Sequence, residues 1–186
     1  MSTVDDAMAA FLQRADDEGL IEVAIAPLDT PVGPMLIAGT ADGLVKLELH
    51  AHDGFAEEMA AAVSPRVIEH PAKLDAIRRQ LDEYFAGKRT VFDLPIDWRL
   101  SHGFRLVALR KLFADVGYGH TVSYKQLAAM SGNERASRAV GSAMATNPVP
   151  IVVPCHRVLD SAGRLHGYGG GLPMKEALLR LEGALL

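Results

Sequence analysis

The chain has 186 residues, 49% of them hydrophobic and 23% charged, with a formal net charge of −4. This is the make-up of a globular protein with one ample core or two small ones, and it excludes a low-complexity or fibrous chain. The charge is unevenly divided: residues 1–99 hold 9 basic and 18 acidic side chains (−9), residues 100–186 hold 10 and 5 (+5). A basic half beside an acidic one suits a protein of which one part meets a polyanion, although segregated surface charge alone would look the same.

Residues 1–18, with MAAFLQRA inside them, predict a short helix ending at Gly19. Its acidic residues (Asp5, Asp6, Asp16, Asp17, Glu18) give it no signal-peptide character. No apolar run anywhere approaches the roughly 18 residues of a membrane span, so no membrane contact and a cytoplasmic location are expected. LIEVAIAPL, GPMLIAG and GLVKLELH, separated by DTPVGP and TADG, predict an antiparallel meander of three strands. His50 and His52 would share a face of the last strand, but two histidines without a third ligand make no metal site. KLDAIRRQLDEYFAG carries Leu74, Ile77, Leu81 and Phe85 at helical spacing and stops at Gly87; FDLPIDW follows as an extended segment.

The texture changes at Ser101–His102–Gly103, which sets a boundary between residues 1–100 and 101–186. FRLVALRKLFADV is amphipathic, with Phe104, Val107, Leu112 and Val116 as apolar positions. TVSYKQLAAMSG and NERASRAVGSAMATN then predict two short helices in a helix-turn-helix, the second capped by Asn133. Ala136, Ala139, Val140 and Ala143 form a packing stripe on that second helix. The other face presents Arg135, Arg138, Gly141, Ser142 and Ala145, nearly bare apart from its arginines. A helix about 10–12 Å across needs such a face to come near a DNA minor groove about 6 Å wide. Close helix–helix packing would use the same small residues.

VPIVV is expected as a short buried strand ended by Pro154, leaving the only cysteine, Cys155, at the exit from the core. The lone thiol excludes an internal disulfide and suits a reducing compartment. To attack carbon it needs a base or a positive field; His156 and Arg157 are candidates, with Glu182 on the closing helix to orient the histidine. A buried, inert thiol is the alternative. In GYGGG, three consecutive glycines suit a flat ligand beside Tyr168, with an ordinary flexible loop as the alternative; without a following Lys-Ser/Thr it is no phosphate loop.

PVPIVVPCHRV, SYKQLAAMSGN, RAVGSAMATNP and GYGGG, in this order, resemble the O6-alkylguanine-DNA alkyltransferases, also called methylated-DNA–protein-cysteine methyltransferases. The close match covers residues 101–186; TPVGPMLIAGT carries a looser likeness in the N-terminal half. The resemblance implies an RNase H-like α/β N-terminal domain of antiparallel strands plus helix. A mainly helical, winged-helix-like C-terminal domain with the helix-turn-helix would follow. It implies irreversible transfer of an alkyl group from O6-alkylguanine, and as a second candidate substrate O4-alkylthymine, in duplex DNA to Cys155. Each molecule would act once, as a monomer able to cooperate along DNA, without cofactor or metal. His156 would serve as base through a water, Glu182 would orient it, and Asn147 would brace the segment before the cysteine. Tyr124 would stand at the pocket rim, donating to the leaving guanine and crowding a DNA phosphate. Arg138 would replace the extruded nucleotide, and Val158, Tyr168, Gly169, Gly170 and Pro150 would line the base pocket. The chain departs from the family's pattern at Val107 and Arg110, and at Gly169, where some relatives have serine. Rival readings are a lesion-binding sensor that does not repair, and a thiol hydrolase using Cys/His/Glu as a triad.

Overall fold

The computed structural model describes residues 3–185, and of residues 3–5 the backbone alone. Helix α1 (Thr3–Asp17) ends just before Gly19, whose φ of 66° is the left-handed turn that stops it. Among the described side chains of α1 only Ala15 enters the core, while Met8 and Phe11 stay exposed; an ion pair from Lys73 to Asp16 ties the helix down.

Strands β1 (Val23–Leu28), β2 (Met35–Thr40) and β3 (Gly43–Glu48) form the expected antiparallel meander. Two elements were not legible: helix α2 (Phe55–Ala62) and strand β4 (Val67–Glu69), which pairs parallel to the free edge of β1 to give the order β3-β2-β1-β4. Three residues are too few to show alternation. Helix α3 (Asp75–Phe85) lies where its spacing put it. The period-2 pattern of the strands divides their side chains between two cores. Val23, Ala38 and Val45 meet Phe55 and Met59 of α2 on one face. Ala24, Ala26, Met35, Ile37, Leu44 and Leu47 meet α3 on the other, in a cluster that continues into the helices of the second half.

The FDLPIDW segment does run extended beside β3, with one bridge from Ile96 to Leu44. Leu44 N donates to Pro95 O (2.9 Å) and Asp97 N to Leu44 O (3.0 Å). Gly43 permits the crossing: a Cβ there would lie 2.2 Å from Pro95 O. His50 and His52 do not share a strand face, because β3 stops at Glu48. His52 instead stands 3.7 Å from Glu58. Glu48, His52 and Glu58 converge, but the Lys46 ammonium, 2.6 Å from Glu58 and 3.5 Å from Glu48, already supplies the positive charge there.

The second half comprises α4 (Gly103–Asp115), β5 (Val122–Ser123), α5 (Tyr124–Met130), α6 (Ser137–Ala145), β6 (Val158–Leu159) and α7 (Gly171–Leu181). Ala108, Leu109 and Leu112 are the buried residues of α4, each leucine contributing about 1.5–3 kcal/mol by leaving water. Val107, expected inside, is 46% exposed, and Arg110 lies over the Trp98 ring, 5.5 Å from its centroid. The two departures within α4 are thus a surface residue and a cation–π clasp onto the linking segment. Helix α5 begins with a capping box: Ser123 Oγ accepts from Gln126 N (3.1 Å), and Gln126 Oε1 accepts from Ser123 N (2.8 Å). Asn133 is not the cap of α6. Its Oδ1 accepts from Arg135 N (3.1 Å) in a turn two residues long, and the helix starts only at Ser137 with Ala136 before it. Arg135 therefore lies ahead of the helix, and Ala139 is exposed; the packing stripe is Ala136, Val140, Ala143 and Met144. Strands β5 and β6 pair in parallel and hold the turn after Tyr118 against the cysteine segment.

Candidate active site

VPIVV is not a strand. Residues 149–153 form a buried turn in which Val153 N donates to Val149 O (2.9 Å) and Val152 N to Pro150 O (2.9 Å). Ile151 sits at its centre with φ of 73°, a conformation that a β-branched residue avoids. Asn147 holds it there: its Nδ2 donates to Val153 O (2.8 Å) and its Oδ1 accepts from Val149 N (3.1 Å). Pro154 then opens a single 3-10 turn, Cys155–Arg157, which bends the chain so that consecutive side chains need not oppose one another.

Cys155 is 5% exposed and lines a cavity of about 520 Å³, within the range of small-ligand sites. Tyr124, Ser137, Gly141, Met144, Ala145, His166, Gly167, Tyr168 and Gly169 complete the wall. Val158, Gly170 and Pro150 do not line it. Val158 is fully buried behind the site, Gly170 is pressed against Met174, and Pro150 faces a neighbouring cavity beside Lys46 and Asn147. Ser137, Met144, His166 and Gly167 were not foreseen. Arg138 and Ser142 lie exposed on α6, while Gly141 and the exposed Ala145 border the cavity.

The residue after the thiol opens a buried relay. His156 is fully buried, and its Nε2 lies 2.8 Å from Glu182 Oε1. Its other ring nitrogen, Nδ1, has no hydrogen-bond partner among the described residues, so with the proton on Nε2 it presents a lone pair. Glu182 caps the C-terminus of α7, where the helix dipole disfavours a carboxylate. Arg157 compensates: Nε reaches Oε2 (2.8 Å), Nη2 reaches Oε1 (2.9 Å), and Nη1 donates to Val116 O (2.6 Å). Arg157 therefore serves the carboxylate, not the thiol. The Tyr84 hydroxyl adds a bond of 2.7 Å to Oε1. Burial works to raise the Glu182 carboxyl, but the donors from His156 and Arg157 outweigh it and bring it down to about 2. Burial holds His156 below its ordinary value, against the pull of Glu182.

Burial also pushes the Cys155 thiol up to about 11, opposed by a hydrogen bond from the Asn147 side chain and by the charge of Lys175. Lys175 is itself fully buried, donating to Val158 O (2.7 Å) and His166 O (2.8 Å). A neutral thiol beside a neutral imidazole is a pair poised to exchange a proton once a partner for the sulfur arrives. Tyr168 stands edge-on to His156, ring centroids 6.5 Å apart, with its buried hydroxyl unpartnered among the described residues. Lys175 was legible in principle, because it falls on the apolar stripe of α7 with Leu178 and Leu179.

Residues 107–184 match the DNA-binding domain model of the 6-O-methylguanine DNA methyltransferases, and residues 23–98 match their ribonuclease-like domain. Among curated relatives, the Homo sapiens methylated-DNA–protein-cysteine methyltransferase is 37% identical over 87% of this chain and 81% of its own. That of Methanosarcina barkeri is 38% identical, over 83% and 94%. A crystal structure of Mycobacterium tuberculosis OGT in complex with DNA superposes with a TM-score of 0.74 at 35% identity, covering 87% of this chain and 93% of that one. No helix among the described residues is long and apolar enough to cross a membrane. The expected two-part architecture, an α/β sheet unit followed by a helical unit, is the one observed, and the chain belongs to the methylated-DNA–protein-cysteine methyltransferase family.

Proposed function

We propose that this protein repairs alkylated DNA by direct reversal, moving the alkyl group of O6-alkylguanine onto Cys155 in a single turnover. The observation that carries this reading is the thiol opening into a cavity of about 520 Å³ with the buried His156–Glu182 relay beginning at the next residue. The curated relatives are named for methyl transfer from methylated DNA to a protein cysteine, and a relative's crystal structure is in complex with DNA.

An alkyl group on a guanine oxygen is out of reach inside a duplex, so the nucleotide is extruded at a cost of roughly a few kcal/mol. Arg138, exposed on α6, fills the gap left in the stack. The purine enters beside Tyr168 and Gly169, and Tyr124 at the rim donates to it and crowds a backbone phosphate. His156 Nδ1 takes the thiol proton through a water, Glu182 keeping the proton on Nε2. The S–C bond forms as the C–O6 bond breaks. The electron pair returns to the guanine ring, which takes up a proton, so that hydrogen and alkyl group have exchanged places. The thioether has no good leaving group, and the chain has no second cysteine to resolve it. Residues 1–100 form the scaffold and 101–186 the reacting part; the protein acts as a monomer in a reducing, cytoplasmic compartment.

Intact mass spectrometry after incubation with duplex DNA containing O6-methylguanine tests this. One added methyl on Cys155, absent in Cys155→Ala, is expected. DNA binding without an adduct would make the protein a lesion sensor, and repeated turnover would make it a hydrolase.

A further inference from the structure

The relay's carboxylate is held from two sides. His156 and Arg157 come from the cysteine segment, but the third side-chain donor, Tyr84, comes from α3 in the N-terminal unit. Its hydroxyl donates to Oε1, the same oxygen that His156 uses. The ring is 1% exposed and is fixed by Phe85, Phe92 and Tyr118, with centroids 5.4, 5.3 and 6.2 Å away. The hydroxyl therefore has one place to point.

A carboxylate offers about four lone-pair sites. Glu182 meets the His156 ring, the forked Arg157, Tyr84 and, at 3.5 Å, the Gly119 amide. Tyr118 turns its hydroxyl to the neighbouring Leu181 carbonyl, Tyr168 stands edge-on to the His156 ring, and the charge of Lys175 also bears on His156. What Tyr84 draws from Oε1 is withheld from His156. Burial and the charge of Glu182 raise the phenol far above its ordinary value, so it remains a donor wherever the protein is folded.

We propose that Tyr84 is a positioning residue for the alkyl transfer, limiting how firmly Glu182 holds His156 and so making the N-terminal unit part of the reacting apparatus. This rests on the alkyl-transfer reading above. With Tyr84 in place, His156 stays neutral and able to take the thiol proton. Without it, Oε1 binds the imidazole more strongly, the imidazolium persists to higher pH, and the base is lost sooner as pH falls.

Single-turnover rates on O6-methylguanine duplex, measured across pH with the full chain, test it. In Tyr84→Phe the acid limb should move up by about half a pH unit, a shift of the size expected for one hydrogen bond removed at one step from the base. Difluorotyrosine in place of Tyr84 is a stronger donor of nearly the same volume, and should move the limb down. Phe92→Leu, which loosens the same aromatic cluster without touching Glu182, should lower the denaturation midpoint and leave the limb in place. An unmoved limb in folded Tyr84→Phe or in the difluorotyrosine protein overturns the inference while the alkyl-transfer reading stands. A wild-type protein that takes up no methyl overturns both.

Discussion

Asn147→Ala removes both side-chain bonds that hold the turn ahead of Cys155. Val149 N, buried, then has no acceptor, a cost of about 1–3 kcal/mol, and the bond to Val153 O is lost for about 1 kcal/mol more. Val153 O keeps its other donor, Cys155 N at 2.8 Å, so no second orphan is created. Against this, Ile151 at φ 73° stores about 1–3 kcal/mol of strain that the freed turn can release in part. The net expectation is a loss of about 2 kcal/mol, read as a lower urea midpoint at unchanged slope. Asn147 also works to lower the Cys155 thiol, so single-turnover methyl transfer per folded molecule should also slow without it, by about tenfold. A midpoint within about 0.5 kcal/mol of wild type, with transfer unimpaired, would show that the turn holds its shape without Asn147.

Glu182 titrates at about 2 in the folded protein against an ordinary 4.5, so its contribution is complete above pH 4.5 and drains away as pH falls toward 2. That contribution is about 3 kcal/mol; Glu182→Gln should be less stable at neutral pH and lose less on acidification, and parallel urea-midpoint curves for the two proteins would refute this. Arg138→Ala should slow repair in duplex DNA by about tenfold, the finger offsetting part of the cost of extrusion, and leave reaction with the free alkylated base near normal. Equal losses on both substrates would contradict the finger role.

The meander, α3 and the helix-turn-helix were legible because each has a period long enough to read and a glycine or capping residue at its end. The cysteine segment was not, because VPIVV looks like a strand until one sees that Asn147, two residues before it, closes its hydrogen bonds. Tyr84 was missed for a related reason. On the stripe Leu74, Ile77, Leu81, the next inward position is either 84 or 85, and periodicity alone does not choose; Tyr84 is buried and Phe85 only partly so. His156 and Glu182 could be paired from chemistry. Arg157 could not be assigned, since adjacency to the thiol suggested one partner and the fold supplied another. At Asn133 a good capping residue was present, but the chain spent it on a turn.

Helix α6 carries the exposed Arg138 and four residues of the cavity wall on one rod of nine residues, about 13 Å long. The spacing between Arg138 and those wall residues is accordingly a fixed length, set by helix geometry. Under the proposed finger role of Arg138, the spacing from the intruding arginine to the pocket wall is thus set by the backbone of one helix and not by a loop.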